Sequence, residues 1–289
     1  MKKSIIIFIL IMLGACTTIE QPVRPVFTME TYPKIDCSTV TIPLAETLMA
    51  TVTNQTIEAV RPYVLCNKTH QAYLNLIENR TDLIFVTSPS AEELTHAEYL
   101  KVELEVIPIV SEAFIFLVNK DNPINSFTIE QVQKIYSGEI TNWKDLGGDD
   151  VVIRAMQRPI NSGSQTGFLG LVMKDVTVMN PPVDWVTAEM GALIDMVAHY
   201  DNKPDAIGYS YYYYVTDMVV NPDVKLLMID GVYPNPSTIA NGKYPIQTNY
   251  YAVFRKSELE TSNVRVLVNY ILTDEGQDLM EYAGYVKLK

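Results

Sequence analysis

Short apolar segments alternate with amphipathic segments along most of the chain. The apolar segments include DLIFV from residue 82, EAFIFLVNK from residue 112 and AIGYSYYYYV from residue 206, and uninterrupted runs of this kind predict strands that are buried on both faces. The segments between them carry apolar residues three and four positions apart, which predicts helices. The alternation therefore predicts an α/β fold in which mostly parallel sheets are flanked by helices.

Hydroxyl-bearing residues follow the first three predicted strands. The strand KIDC leads into a hydroxyl-rich turn and a helix entered through Pro43, and a second strand at residues 63–65 precedes Thr69, which is predicted to be an N-cap. The third strand, DLIFV, precedes Ser90 and Glu93, whose spacing is typical of a capping box. Because ligands bind beyond the carboxyl ends of such strands, these loops are expected to converge on one site. Their candidate ligand-binding residues are Ser38, Thr39, Thr41, Thr69, Thr87 and Ser88.

The segment RAMQRPINSGSQTGF, residues 154–168, has the features of an anion-binding helix start. Ser162, Gly163 and Ser164 supply hydroxyls and backbone N–H groups just before an apolar stretch that predicts a helix. Unpaired N–H groups and the helix dipole favour an anion at that position. Arg158 stands four residues before Ser162 and can add a fork of charged hydrogen bonds. The same residues also fit an ordinary serine-capped helix.

A change of composition after Asn122 and Pro123 predicts a crossing into a second domain. Before it, ELEVIPIV and EAFIFLVNK predict two strands. After it, the pattern predicts a capped helix in SFTIEQVQKIYSG, a strand in VVIRAM, a helix in MGALIDMVAHY and a strand in AIGYSYYYYV. NYYAVFRK predicts a strand that returns to the first domain, and the C-terminal segment predicts two successive helices.

The N-terminus has the charge order of a secretory signal. Lys2 and Lys3 precede an apolar run at residues 5–13 that is too short to span a membrane. The sequence LGAC that follows resembles a bacterial lipobox, which would make Cys16 the lipidated first residue of the mature protein. We therefore predict a signal peptide at 1–15 and a tether at 16–31. The alternative is an uncleaved N-terminal helix.

Charge and cysteine content narrow the set of partners. The chain of 289 residues carries a formal charge of −12, and loss of Lys2 and Lys3 with the signal peptide lowers it to −14. Such a surface repels nucleic acid and anionic lipid, so neither is an expected partner. In an exported protein Cys37 and Cys66 could form a disulfide, or both could remain reduced.

The residue patterns of common enzymes are missing from the sequence. The serine of GSQTG is not centred between glycines as in a nucleophile elbow, and Phe168 stands where a Walker loop needs lysine. The three histidines are scattered, and His70 is interpreted as a helix-surface or pocket-wall residue. No cysteine and histidine spacing suggests zinc. The sequence predicts a binding protein without catalytic residues, cofactor or metal.

The order of motifs resembles the solute-binding lipoproteins of phosphate ABC transporters. The matching pieces run from Asp36 to the C-terminus: DCSTVTIPLA, THQAY, DLIFVTSPS, FLVNKDNP, YSGEITNWKDLGG, QRPINSGSQTGF, IGYSYYY and YPIQTNYYAVF. The resemblance implies a two-lobed, hinged α/β protein that closes on an anion between its lobes. Residues 32–119 with 241–289 would form lobe 1, and residues 120–240 would form lobe 2.

The resemblance also implies where the anion would be held. The first loop falls on residues 38–41, the second helix start on Thr69 and the third loop on Thr87 and Ser88. The arginine and the Ser-Gly-Ser cradle fall on Arg158 and residues 162–164. The chain departs from the family at three positions. Thr87 replaces a carboxylate that accepts a phosphate proton, Ile160 replaces an aspartate that engages the arginine, and Cys37 replaces a glycine.

The function implied is that of a monomeric, extracytoplasmic receptor, lipid-anchored to the bacterial cell membrane. It would bind a small oxyanion, foremost inorganic phosphate, and deliver it to the subunits of an ABC permease. Because Thr87 removes the usual reason to reject sulfate, a receptor for another tetrahedral anion or a phosphorylated compound is an alternative. A surface sensor or adhesin without a transport role and a secreted phosphatase are further alternatives.

Overall fold

The computed structural model describes residues 24–199 and 204–288. Its strands are β1 (Ile35–Cys37), β2 (Leu83–Val86), β3 (Leu104–Asn119), β4 (Ser126–Phe127), β5 (Arg154–Ala155), β6 (Ala206–Tyr211), β7 (Val224–Leu226), β8 (Met228–Ile229) and β9 (Gln247–Arg255). Its α-helices are α1 (Ile42–Thr53), α2 (Ile57–Val60), α3 (Lys68–Ile77), α4 (Ala91–Tyr99), α5 (Ile129–Ser137), α6 (Gly163–Gly167), α7 (Met190–His199), α8 (Pro236–Ala240), α9 (Asn263–Ile271) and α10 (Asp274–Tyr282). The predicted signal peptide and Cys16 lie outside the described residues.

One long strand joins the two halves of the main sheet. The sheet has the order β1-β2-β9-β3-β6-β5, with β7 paired to β3 beside that path. The first part of β3, Leu104 to Ala113, pairs with β9, and Phe114 to Val118 pair with β6. The sequence predicted two strands here and placed the domain crossing after residue 119. The change of pairing partner lies inside β3, between Ala113 and Phe114.

The predicted α/β class is confirmed, but the sheet is mixed rather than mostly parallel. β1 pairs with β2 and β5 pairs with β6 in parallel, whereas β9 is antiparallel to both β2 and β3, and β3 is antiparallel to β6. An apolar run indicates that both faces of a strand are buried and carries no information about its direction. Two of the antiparallel pairings arise because β9 returns from the C-terminal part of the chain and inserts between β2 and β3.

Two segment predictions were wrong and several were confirmed. Residues 61–63 form a 3-10 helix where a strand was predicted near residue 63. Of the four consecutive tyrosines, Tyr211–Tyr214, only the first lies in a strand, because β6 ends at Tyr211 and Tyr214–Met218 form a π-helical turn. The capping box of Ser90 and Glu93 at α4 is present as predicted, and so are the two C-terminal helices α9 and α10.

The folded part starts within the segment that was predicted to be a tether. Phe27 is buried at 7% exposure, and its backbone N–H donates to the carbonyl of Val52 at 2.8 Å. Phe27 also packs edge-on against the ring of Tyr32. Residues 27–31 therefore belong to the fold, because the aromatic ring of Phe27 completes the core beside α1.

A disulfide and two apolar clusters hold the described residues together. Cys37, at the end of β1, is bonded to Cys66, which lies just before α3. The larger cluster fills the interior on both sides of β3, and the smaller one lies between α3, α4 and the strands β2 and β9. No helix among the described residues combines the length and the hydropathy that a membrane span requires.

Candidate functional site

A cavity of about 220 Å³ opens where the loops after β1, β2 and β5 meet. We call it the cleft. Seven of the ten predicted binding residues line it: Ser38, Thr39, Thr69, Thr87, Arg158, Ser162 and Gly163. The other lining residues are Val40, Lys68, His70, Pro159, Ile160, Asn161, Ala188, Glu189, Met190, Tyr211 and Tyr214. The predicted convergence of loops therefore occurs, although three of the predicted residues lie outside the cavity.

The loop after β1 places Ser38 and Thr39 at the cleft and holds Thr41 away from it. The Thr41 hydroxyl donates to the carbonyl of Phe85 at 2.6 Å and is fully buried. This bond attaches the first loop to β2, beside the start of the third loop. Thr41 therefore supports the loop, and its hydroxyl is already used by the protein.

Thr69 reaches the cleft from the first turn of α3. The sequence predicted Thr69 as the N-cap, but α3 begins at Lys68 and the N-cap position is Asn67. Asn67 is fixed by Asp36, which accepts its backbone N–H at 2.9 Å and its side-chain amide at 2.9 Å. Asp36 also accepts a bond from Asn75 at 2.6 Å, so one buried carboxylate attaches the start and the middle of α3 to β1.

Thr87 contributes a buried hydroxyl whose hydrogen bonding the protein does not fully satisfy. Its Oγ1 lies near the Tyr211 hydroxyl, where it opposes the burial that raises the pKa of Tyr211, but it makes no hydrogen bond of good geometry to the described residues, and Thr87 is 2% exposed. The Thr87 carbonyl accepts a bond from the Tyr73 hydroxyl at 2.9 Å, which fixes the backbone here. A buried polar group without a well-aligned partner is costly, so this hydroxyl suits a ligand oxygen. The neighbouring Ser88 lines a separate groove outside the cleft.

Arg158 places a buried guanidinium at the wall of the cleft. Its Nε donates to the carbonyl of Thr187 at 2.9 Å, its Nη2 donates to the carbonyl of Ala188 at 2.8 Å, and its Nη1 donates to Ser164 Oγ at 3.3 Å. Those bonds use three of the five guanidinium N–H groups and leave two. Burial lowers the pKa of Arg158, although an arginine remains charged in proteins.

The hydrogen-bond partners of this guanidinium are neutral. Within the described ranges no carboxylate lies within ion-pair distance of Arg158, although the Glu189 carboxylate on the same cleft interacts with it electrostatically. Ile160, two residues on, is an exposed apolar side chain. A buried charge without a direct ion pair is unfavourable. The unpaired N–H groups of Arg158 are therefore suited to two oxygens of an incoming anion, in the bidentate geometry that arginine favours.

Ser162 and Gly163 open a short helix that faces the cleft, and Ser164 lies behind it. Ser162 is the N-cap of α6, and its Oγ accepts the backbone N–H of Gln165 at 3.3 Å, as predicted for a serine cap. Gly163 lies directly against the loops of the other half. A methyl group on it would stand 2.5 Å from Thr69 Oγ1 and 2.6 Å from Thr87 Oγ1. Ser164 is fully buried and contacts Arg158 instead of lining the cavity.

Aromatic packing holds α6 in place behind the cleft. Phe168, just after α6, stacks on Tyr209 of β6 with ring centroids 4.6 Å apart and planes 5° apart. The Tyr209 hydroxyl bonds to Gln165 and accepts the backbone N–H of Arg158 at 3.1 Å. The apolar residues after Gly167, which predicted a helix, thus also anchor the arginine loop to the sheet.

Two contacts cross the cleft and join residues distant in sequence. Lys68 Nζ lies 2.6 Å from a carboxylate oxygen of Glu189, and Asn161 bonds to Glu92. The hydrogen bond from Lys68 lowers the pKa of Glu189. Lys68 and Glu189 were not predicted from the sequence, since single charged residues 121 positions apart give no local signal. His70 was predicted only to be a helix-surface or pocket-wall residue.

The arrangement supplies donors for an anion, and it supplies no assembled catalytic group. The hydroxyls of Ser38, Thr39, Thr69, Thr87 and Ser162 and the guanidinium of Arg158 surround one small space. In the part of the chain that the structure describes, no group of three or more histidine, cysteine, aspartate or glutamate residues could hold a metal ion. Hydrogen bonding and charge are therefore the means by which this site would retain a ligand.

Comparison with known proteins agrees with this geometry. A sequence model of the PBP superfamily domain matches residues 30–275. The phosphate-binding protein PstS of Borreliella burgdorferi is 26% identical over 211 residues, which cover 71% of this chain and 74% of that protein. PstS of Bacillus subtilis is 29% identical over 170 residues, which cover 58% of this chain and only 53% of that protein.

Solved structures share the fold. A phosphate ABC transporter substrate-binding protein from Clostridium perfringens, with bound phosphate, superimposes with a TM-score of 0.66 at 23% identity. The superposition covers 88% of this chain and 99% of that one. At this level of identity the likeness establishes the two-lobed α/β architecture, and the ligand has to be argued from the residues of the cleft.

Proposed function

The chain belongs to the PBP superfamily, and from that premise we propose that it is a receptor that binds a small tetrahedral oxyanion in the cleft. Inorganic phosphate is the foremost candidate, because relatives along most of the chain are named phosphate-binding proteins. No bond in the ligand is broken in this proposal. The protein retains the anion by hydrogen bonds and charge, and it releases the anion unchanged.

The observation that carries the proposal is the state of Arg158. Its guanidinium is buried beside the cleft, it is bonded only to neutral oxygens, and two of its N–H groups are left for a ligand. A tetrahedral anion supplies the missing negative charge and the missing acceptors together. The incompletely satisfied Thr87 hydroxyl on the opposite wall supports the same interpretation.

The magnitudes are sufficient for useful affinity. Micromolar binding requires about 8 kcal/mol. A hydrogen bond to a charged group contributes about 1.5 to 3 kcal/mol, so Arg158 with a few hydroxyls and N–H groups can supply this amount after the cost of ordering the ligand. The negative surface of the protein does not prevent capture, since exposed charges are screened beyond about 8 Å at physiological salt.

We further propose that the receptor is extracytoplasmic, is anchored through lipid on Cys16 and delivers its anion to an ABC permease. The LGAC sequence and the short apolar run before it support the anchor. In this proposal the protein acts as a monomer whose lobes, residues 32–119 with 241–289 and residues 120–240, close around the anion. Replacement of Cys16 by serine is expected to release the protein from the membrane fraction, which fractionation and immunoblotting would detect.

A second candidate is a receptor for a tetrahedral anion other than phosphate, and the hydroxyl of Thr87 favours it. A hydroxyl can donate to a fully ionised oxygen as readily as it accepts a proton from phosphate. The cleft therefore carries no carboxylate at that position to reject sulfate. Calorimetric titration with phosphate, sulfate, molybdate and a phosphonate would rank these ligands.

The proposed site is tested by removing its buried cation. We expect Arg158→Ala to weaken phosphate binding by about 10- to 100-fold, the value of a charged hydrogen-bond pair. Arg80→Ala, which removes an exposed guanidinium bound to Glu78, is the matched control and should bind as the unmodified protein does. If the affinity of Arg158→Ala stays within twofold of the unmodified protein, the site is misassigned.

A further inference from the structure

His70 forms a hydrogen bond with a buried carboxylate at the wall of the cleft. Its Nδ1 lies 2.9 Å from a carboxylate oxygen of Glu93, and His70 lines the cavity that Arg158 also lines. The Glu93 side chain is only 1% exposed, whereas that of His70 is 33% exposed. The other histidines, His96 and His199, pair with Glu78 and Asp223 away from the cleft. The chain thus places one of its three histidines at the anion site.

The carboxylate of Glu93 determines which nitrogen of His70 is available. Glu93 also accepts the backbone N–H of Ser90 at 2.7 Å as part of the capping box of α4, so its position is fixed. An ionised carboxylate is only an acceptor, and it therefore holds the proton on Nδ1 of the ring. Nε2, which makes no hydrogen bond to the described residues, then carries a lone pair in the neutral ring and an N–H in the protonated ring.

Arg158, Glu189, Tyr211 and Tyr214, which also line the cleft, keep their charge state between pH 5.5 and pH 8. Arg158 is permanently charged, and the bond from Lys68 lowers the pKa of Glu189. Burial raises the pKa of Tyr211 and of Tyr214, which keeps both hydroxyls neutral. Glu92, next to Glu93 on α4, is exposed and bonds to Asn161.

We propose that the His70–Glu93 pair couples anion binding to the uptake of one proton. With a neutral ring the pair has a net charge of −1 beside the cleft, and with a protonated ring its net charge is zero. The protonated ring also gains a donor on Nε2. Both changes favour an anion, so the cleft should bind an anion more tightly when the ring is protonated, and therefore more tightly at lower pH. This inference rests on the proposed function.

The coupling between proton and anion is reciprocal, and the proton can be shared by His70 and Glu93. If protonation strengthens anion binding, a bound anion strengthens proton binding by the same factor. Burial raises the pKa of Glu93, while its bonds from Ser90 and His70 lower it. In a coupled pair the proton belongs to the pair as a whole, so the measurable quantity is the proton taken up on binding.

Sulfate is the suitable probe, because it remains fully ionised over this range and any change of affinity with pH comes from the protein. We expect sulfate to bind about tenfold more tightly at pH 5.5 than at pH 8.0, within the usual range of coupling between two sites. Calorimetry in two buffers of different ionisation enthalpy at pH 6.5 should also detect proton uptake with sulfate. This second measurement needs no variant.

Two glutamine variants locate the effect. His70→Gln keeps a donor for Glu93 but cannot titrate, so its sulfate affinity should be the same at both pH values, without proton uptake. His96→Gln removes a histidine from the same kind of pair outside the cleft, and it should retain the full pH dependence.

Two outcomes would overturn the inference and leave the proposed function standing. One is a pH dependence that persists in His70→Gln, and the other is a sulfate affinity of the unmodified protein that is equal at both pH values. Failure of sulfate and phosphate to bind at any pH would overturn both.

Discussion

At the scale of single residues, Gly163 is one of the points where the two sides of the cleft touch. A β-carbon there would meet Thr69 Oγ1 and Thr87 Oγ1 at distances that side chains do not adopt without displacement. The backbone N–H groups that follow Ser162 can reach a ligand only if this approach is preserved. The glycine is therefore required by space, since its φ is not in the left-handed region.

We expect Gly163→Ala to weaken anion binding by about 10- to 100-fold, because the methyl group pushes α6 away from the two threonines, and overpacking of this kind typically costs about 1 to 3 kcal/mol. Calorimetric titration would measure the loss. Gly170→Ala is the matched control: it lies one helical segment further on, and a β-carbon there has nothing within 4 Å. Equal anion affinity of Gly163→Ala and Gly170→Ala would contradict a functional need for the close approach of Gly163 to Thr69 and Thr87.

Thr87 is the position at which the proposed choice between anions can be tested. A carboxylate at this position would accept the proton of a protonated phosphate and repel an anion that has none. We therefore expect Thr87→Asp to lower sulfate affinity at least about tenfold more than phosphate affinity, a discrimination of the size expected for one charged contact. Thr87→Ser keeps the hydroxyl and should keep the ratio of the unmodified protein. Parallel titrations with both anions would measure the ratio, and an unchanged ratio in Thr87→Asp would remove Thr87 from the ligand's surroundings.

Residues of the candidate site were predictable where the sequence of a single loop was enough to identify them. Ser38, Thr39, Thr87, Arg158 and Ser162 lie at strand or helix ends, and the sequence marks such ends by hydroxyl residues and apolar boundaries. Which hydroxyl faces the ligand was not predictable, because that depends on the rotation of each loop. Ser164, which follows Gly163, turns inward to Arg158 for this reason.

At the scale of elements, β1 and α3 are attached to each other at the edge of the cleft by a covalent and a polar link. Cys37 bonds to Cys66, and the next residue along, Asn67, is held by Asp36. The residues just beyond these links, Ser38 and Thr69, line the cleft. The two links therefore fix the spacing of two binding loops that are otherwise joined only through α1 and α2.

Removal of the disulfide should reduce stability and anion affinity together. The two cysteines are 29 residues apart, and closing a loop of that length stabilises a fold by about 3 to 4 kcal/mol in the chain-entropy account. We expect the Cys37→Ser, Cys66→Ser double variant to lose about that free energy of unfolding in urea. A reducing agent should produce the same loss in the unmodified protein and none in the variant. Equal stability of the two proteins in the absence of reductant would contradict this expectation.

The helices were more predictable than the strands. Capping boxes and apolar spacing located α4 and α5 closely, because those signals lie within the helix itself. The continuity of β3 was not predictable, since the polar residues Ser111 and Glu112 interrupt its apolar pattern. The register of β3 against β9 also shifts between Pro108 and Val110. The direction of β9 depends on partners more than one hundred residues away.

At the scale of the whole molecule, β3 carries a buried acid at the point where it leaves one half for the other. Glu112 is 2% exposed, and it accepts the backbone N–H of Ala113 at 2.7 Å and that of Tyr213 at 3.4 Å. Burial raises the pKa of Glu112 to about 7, and the backbone N–H bonds limit the rise. The Glu112 carboxyl, on β3, bonds to the turn after β6. It therefore links the two halves of the sheet that β3 connects.

The stability of the molecule should therefore fall as the pH rises towards 7. Glu112 binds a proton more tightly in the folded chain than in the unfolded chain, so its contribution is complete below about pH 4.5 and lost by about pH 7. The decrease is at most about 3 kcal/mol. Glu112→Gln should remove this part of the pH dependence in urea unfolding between pH 4.5 and 8. Glu139→Gln, an exposed control, should leave it unchanged, and an identical pH profile in both variants would contradict the role of Glu112.

The position of β9 inside the sheet also determines when the sheet can be completed during synthesis and folding. β2 is fully buried, and its second edge pairs with residues 251–254, so the chain must be synthesised as far as residue 254 before that edge is covered. Until then LIFV offers an unpaired apolar strand, the kind of segment that associates between chains. Chains that end before β9 should therefore accumulate as aggregates, and slow refolding is expected of a sheet closed by such distant partners.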